Sequence, residues 1–318
     1  MKSQVFINHL ECSIPESRFV LQENLDHFND GKEGPLFPNA DKFMEFINKY
    51  MGFESVAAEK DPAVTQESMT MDLLKKGIAD GKIDPKRIAW IVVAPDASEQ
   101  IPNFGAKAQF ELNMPKAKVL RITDSFCANI DLAIGITKML LEDMPVPSDA
   151  LVIAGNKQEY SFEGRVVGSY GVMGDGVSYA VLTNESGKGI AEVIGQESVT
   201  KGVLHSADLA KDNTLVHFQG YTESVKALLG STKVPAAEIT GVVLHNANQL
   251  LATESIKTCG VKADKVDKTN LKKYGHLGTT DLLLNLKTHI ENAAGKPGMV
   301  LSSNLGINGT YVSTLFKI

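Results

Sequence analysis

The chain has 318 residues, 43% hydrophobic and 22% charged, which is enough apolar material for one large or two medium cores and too much for a disordered or fibrous protein. A net charge of −6 with no run of Lys or Arg argues against nucleic acid and against an anionic membrane surface as partners. Cys12, Cys127 and Cys259 are far apart with no CxxC pair, so neither a disulfide framework nor a zinc site is indicated. The first residues turn polar too soon for a signal peptide, and no apolar run reaches the length of a membrane span. The expectation is a soluble cytoplasmic protein without a bound metal.

In chain order, short β-branched or apolar runs predict strands at Val5–Leu10, Ile88–Ala94, Val119–Thr123, Ala150–Ala154, Ser178–Leu182, Ala191–Ile194, Thr240–Leu244, Met299–Ser302 and Val312–Lys317. Between them, apolar residues at three-to-four spacing predict helices over Glu67–Ile78, Ile130–Leu141, Tyr221–Leu229, Leu250–Cys259 and Asp281–Asn292. Gly, Pro and Asn interrupt Asn29–Asp41, which reads as a loop or lid. Strands alternating with helices give an α/β protein.

One internal repeat stands out. The segments Lys82–Val93 and Lys233–Leu244 share a helix end, a Pro-bearing turn and a buried strand at the same internal spacing, as a duplicated half would. Ligands in open α/β sheets bind beyond the carboxyl ends of strands, and His245 stands at the end of the second of these two.

Cys127, in Thr123–Asp131, lies between a strand run and a helix run. A helix N-terminus there would favour the thiolate and make the cysteine a nucleophile; a buried structural thiol is the other reading. His245, followed by Asn246-Ala247-Asn248, and His276, between Gly275 and Gly278, also stand at strand-to-helix junctions, where each is open to a catalytic or a packing role. Asp281 has two readings, as a partner that orients His276 or as a solvated carboxylate complementing its helix dipole. Gly174-Asp175-Gly176 reads as turn residues, and Cys12 and Cys259 as core.

These residues carry a resemblance. Ile88–Asp96, Asp124–Ile130, Leu151–Gly155, Gly174–Leu182, Val243–Asn248, Tyr274–His276 and Leu301–Thr310, in that order, resemble the thiolase superfamily and within it the β-ketoacyl-acyl-carrier-protein synthase III group. The resemblance implies a thiolase-like fold, two duplicated βαβαβ halves in an α-β-α-β-α layering, with an N-terminal half at 1–170 carrying Cys127 and a C-terminal half at 171–318 carrying His245 and His276. It implies acylation of Cys127 by a thioester, with His245 and His276 binding the thioester oxygen of a second substrate. The backbone N–H groups of Cys127 and Leu305 would form the oxyanion hole. Asn248, Asp281 and Gly306 would support the site, and Ile101 would reach across a homodimer interface into the partner's acyl tunnel.

The chain departs from that pattern in three places. His276 stands where synthase III has Asn after Gly, as in the related elongating synthases, and a neutral imidazole N–H would serve there as an amide does. Lys49–Ser55 replaces the family's R-T-G-I segment, and Leu250 stands where an arginine follows the H-x-A-N motif, so bidentate phosphate contacts to coenzyme A are missing. That favours a carrier-protein phosphopantetheine over coenzyme A as the thioester donor, with acyl carrier protein as partner and no tightly bound cofactor. Asn304-Leu305-Gly306 replaces a glycine triplet. The implied function is decarboxylating Claisen condensation of the acyl group with a malonyl-type thioester, of fatty acid or polyketide type. Transfer of the acyl group to a hydroxyl, amine or thiol with His245 as base is the alternative, and an inactive subunit of a heterodimeric synthase is a third.

Overall fold

The computed structural model describes residues 3–24, 39–96, 104–167, 171–204, 213–247 and 249–318. Nine strands form one mixed sheet: β1 (Phe6–Ser13), β2 (Ile88–Pro95), β3 (Lys118–Arg121), β4 (Asp149–Asn156), β5 (Gly176–Thr183), β6 (Ala191–Thr200), β7 (Ile239–Val243), β8 (Met299–Gly306) and β9 (Thr310–Lys317). These are the nine strands expected from the apolar runs. β4 and β5 are buried at every position, which explains why they read as continuous hydrophobic segments rather than alternating ones.

The strand order is β7-β8-β9-β6-β1-β5-β4-β2-β3. Apart from β3 at one edge, the order is symmetric about its centre. β1 answers β6, β5 answers β9, β4 answers β8 and β2 answers β7. The pairings agree, since β2–β4 and β7–β8 are parallel whereas β4–β5 and β8–β9 are antiparallel. The repeated segments end in β2 and β7, so the duplication legible in the sequence occupies equivalent places in the sheet. Within the sheet the two arms join where Phe6 and Ile7 of β1 meet Glu192 and Ala191 of β6.

Helices α1 (Gln66–Ala79), α2 (Phe104–Glu111), α3 (Asn129–Glu142), α4 (Thr214–Thr232), α5 (Gln249–Lys257) and α6 (Thr280–Ala293) cover the strands. α3 touches β2 and β4 on one arm and β9 and β6 on the other, and α6 touches β1, β5 and β7, so these two helices lie between the arms. α1 and α2 cover the outside of the first arm, and α4, backed by α5, covers the second. The result is an α-β-α-β-α layering. α2 was not anticipated from the sequence because Gly105 and Ala108 make up most of its buried face, and they leave little apolar period. Most of the Asn29–Asp41 segment, Ile101 and Asn248 lie outside the described residues.

Gly174-Asp175-Gly176 holds the floor of the site by an ion pair. Arg165 and Asp175 are both fully buried and paired at 2.9 Å; Asp175 also accepts the N–H groups of Glu59 (2.7 Å) and Gln158 (2.8 Å). The amide of Gly174 donates to the His276 carbonyl at 2.6 Å, so this loop carries one of the candidate catalytic residues. Asp175→Ala leaves the Arg165 guanidinium buried and unpaired. We expect a loss of about 3–5 kcal/mol of stability, read as a lower urea midpoint at unchanged slope.

Candidate active site

Cys127 lies in a 3-10 turn, Phe126–Ala128, that runs directly into α3. The approach is tight, with Asp124 at φ 73° and Phe126 at φ 44°, both in the left-handed region that non-glycine residues rarely adopt. Asn129 holds this turn in place. Its Oδ1 accepts the Ser125 amide (2.9 Å) and its Nδ2 donates to the carbonyl of Pro95 at the end of β2 (2.7 Å). Gly306 closes the other side, where a Cβ would fall 2.2 Å from the Ser125 carbonyl oxygen. The end of β8 thereby rests against the cysteine turn.

Three expected residues meet here. Cys127 Sγ is 3.4 Å from His276 Nε2, and the rings of His276 and His245 lie 5.6 Å apart between centroids. Behind His276 stands Asp281, whose Oδ2 is 2.5 Å from His276 Nδ1 and also accepts the Asn246 amide at 2.7 Å. Asp281 Oδ1 accepts the Leu277 amide at 2.9 Å. The carboxylate is fully buried, so its reading as a solvated helix-dipole residue is overturned. A side chain at the start of α6 is solvated only if that helix begins at the surface, and this one begins between the two arms.

Electrostatics reverse one expectation from the sequence. Burial pushes the Cys127 thiol well above its usual range, and the carboxylates of Asp96 and Asp281 push it further. The helix terminus does not preform a thiolate, so the proton has to be removed. For His276, burial disfavours the imidazolium, but the charge and hydrogen bond of Asp281 and the charge of Asp96 outweigh it and the net shift is upward. His245 is driven the other way, down to about 3, by burial and then by the neighbouring His276. It stays neutral.

The two imidazoles therefore present opposite faces to the site. His276 Nδ1–H donates to the Asp281 carboxylate, which leaves Nε2 as a bare lone pair facing the thiol. His245 Nδ1 accepts the amide of Leu305 at 3.4 Å, so the hydrogen sits on Nε2, 3.3 Å from the Tyr221 hydroxyl. One histidine is arranged to take a proton and the other to donate a hydrogen bond.

Comparison with known proteins agrees with this arrangement of strands. Residues 229–318 match the family model of the 3-oxoacyl-[acyl-carrier-protein] synthase III C-terminal region. The β-ketoacyl-[acyl-carrier-protein] synthase III of Lactococcus lactis subsp. cremoris is 22% identical over 245 residues, 69% of this chain and 73% of that protein. The chain has the thiolase fold and is synthase III-like. Among solved structures it is similar to ChlB3, an acyltransferase by its title (TM-score 0.80, 17% identity, 99% of this chain and 98% of the other). It is also similar to synthase III of Aquifex aeolicus (TM-score 0.77, 17% identity, 99% and 100%) and to OleA of Xanthomonas campestris (TM-score 0.79, 12% identity, 98% and 98%).

In this synthase III-like chain the Leu305 amide donates to His245 instead of standing free as an oxyanion donor. Asn304, beside it, was not singled out as a site residue in the sequence and proves to be a hub. Its Oδ1 accepts the His245 amide (2.6 Å), and its Nδ2 donates to Asp131 Oδ2 (2.7 Å), whose other oxygen accepts Ser302 Oγ (3.0 Å). Asp131 is fully buried in α3; burial raises its carboxyl to about 7, with the bonds from Asn304 and Ser302 holding it back. This chain of bonds ties the helix that follows Cys127 to the backbone of His245. Among the described residues no cluster of His, Cys, Asp and Glu is arranged to hold a metal ion, and no helix is long and apolar enough to cross a membrane.

Proposed function

We propose that this chain is an acyltransferase that takes an acyl group from a thioester onto Cys127 and passes it to a proton-bearing nucleophile. The Cys127, His276 and Asp281 sequence, with His276 Nε2 bare toward the thiol, carries this reading. His276 accepts the thiol proton as Sγ attacks the thioester carbonyl. The Cys127 amide and the Nε2–H of His245 are the donors at hand for the oxyanion, and the departing thiolate takes the proton back from His276. His276 is then bare again, next to the acyl group, and can take a proton from the attacking nucleophile. The base is thus His276 rather than His245, which is too acidic an imidazolium to hold a proton at neutral pH.

Decarboxylating condensation is the second reading, favoured by the synthase III family model and by the facing pair of histidines. It asks both imidazoles for an N–H toward the enolate oxygen, and His276 commits its N–H to Asp281. The missing arginines favour a carrier-protein phosphopantetheine as donor in either case.

The test is intact mass after incubation with an acyl-N-acetylcysteamine thioester or an acylated carrier protein. Wild type is expected to gain one acyl group at Cys127 and Cys127→Ala none. Chasing the adduct with primary amines, alcohols or a malonyl thioester then separates transfer from condensation by product mass. An equal acyl load on Cys127→Ala would sink both readings.

A further inference from the structure

The mechanism above leaves one buried acid unused. Asp96 follows β2 directly and is 9% exposed. Its carboxyl is close enough to the Cys127 thiol and to His276 to act on the charge of each. Gly278, at φ 60°, makes room for it, since a Cβ there would fall 2.9 Å from both Asp96 Cγ and Oδ2. Asp96 Oδ1 is buried with no hydrogen-bond partner among the described residues.

The other buried acids of the core differ. Asp131, Asp175 and Asp281 each have both carboxylate oxygens occupied by protein donors. An acid kept for packing or bracing is satisfied in that way, because an unpaired buried acceptor is costly. Asp96 alone among these four has a buried carboxylate oxygen left without a donor, and no Lys or Arg charge is among the groups that act on it.

We propose that Asp96 is a further catalytic residue, the proton acceptor for an amine that takes the acyl group from Cys127. This deepens the acyl-transfer reading and rests on it. An amine arrives as the ammonium, whose N–H groups suit an unpaired carboxylate oxygen and whose charge offsets that of two buried acids. Asp96 takes one proton, which frees the nitrogen lone pair to attack the acyl carbon. His276 takes a second proton from the nitrogen of the tetrahedral adduct. The carbon–sulfur bond breaks, Cys127 leaves as thiolate and recovers that proton from His276, and the proton on Asp96 goes to solvent. In sum, acyl-S-Cys127 and R-NH3+ give the amide, the free thiol and one proton. Two protons leave the nitrogen and two acceptors stand beside the sulfur. An alcohol would use only His276, and a malonyl carboxylate would bring a third negative charge to the same pocket.

The experiment loads the enzyme with an octanoyl-N-acetylcysteamine thioester and follows the adduct by mass on adding n-butylamine or n-butanol. With each variant first loaded to the same acyl occupancy, Asp96→Asn is expected to discharge to n-butylamine about 10²-fold more slowly than wild type at neutral pH, a larger loss than it shows with n-butanol, and Asp96→Glu to recover part of that loss. The gap should narrow as the pH approaches the amine's own pKa, where free amine needs no acceptor. Acyl loading of Cys127 in Asp96→Asn also reports that the site is folded. Equal discharge by Asp96→Asn and wild type overturns the proposal, as does a loss with n-butanol as large as that with n-butylamine, or faster discharge of wild type by n-butanol than by n-butylamine. If wild type takes no acyl group, the acyl-transfer reading itself fails, a result distinct from each of these.

Discussion

His276→Ala is expected to slow acylation of Cys127 by about 10²–10⁴-fold, the usual range for a lost general base. The expectation follows from the thiol's surroundings. Burial and two carboxylates hold the proton on sulfur, so little thiolate is present for attack without a base within reach. His276 Nε2, 3.4 Å away, fills that role among the described residues. The pH profile carries a second signature. His276 must be neutral to act, and its pKa is raised above 6.5, so the wild-type acylation rate should climb with pH through a midpoint above 6.5 and then level off. In His276→Ala the plateau should vanish and the rate should keep rising into the alkaline range as thiolate forms on its own. Stopped-flow release of the donor thiol measures both. A variant that kept the wild-type midpoint would assign the proton acceptor elsewhere.

The second large effect is expected of Asp281→Asn, about 10⁴-fold on acylation if the wrong imidazole tautomer results. Both oxygens of Asp281 accept N–H groups, Leu277 on one side and His276 with Asn246 on the other. An asparagine has one acceptor and one donor to offer these places. With its NH2 toward His276, it donates to Nδ1 and moves the imidazole hydrogen to Nε2, which can then no longer accept from the thiol. With its NH2 toward Leu277, it opposes the amide of that residue, at about 1–3 kcal/mol for the unsatisfied donor. In the first orientation the NH2 also opposes the Asn246 amide, so both orientations lower stability and only the first also loses acylation. Loss of the carboxylate charge also removes the main reason for the raised His276 pKa, so residual activity should persist to lower pH than in wild type. Wild-type acylation kinetics in Asp281→Asn would reduce Asp281 to a packing residue.

The sheet was legible because its central strands β4 and β5 are buried along their length and spell nearly unbroken apolar runs, as β4 does from Ala150 to Ala154. The meeting of Cys127, His245 and His276 was implied by the family resemblance, with a strand end and a repeated segment pointing to His245. What escaped was tertiary. The helix N-terminus argued for a low thiol pKa, but that argument counts local dipoles, while burial decides first and the charges of Asp96 and Asp281, both distant in sequence, add to it. Asp131 and Asn304 sit among apolar neighbours in helix and strand, and nothing in the sequence shows that they face each other across the two arms. The Leu305 amide was read from position alone, and only the fold discloses that His245 lies in its path.

The symmetric strand order places Asp96 and His245 just past the ends of matching strands, β2 and β7. Burial acts on both in the same sense, by favouring the uncharged form. The carboxyl rises and the imidazole falls, so of two matching locations one becomes the stronger proton acceptor and the other the weaker. A substrate seated between the arms would meet a surface whose two sides differ in proton appetite although their backbones match. Directionality in such a site comes from which residue stands at each of two matching strand ends, on a scaffold that is alike for both.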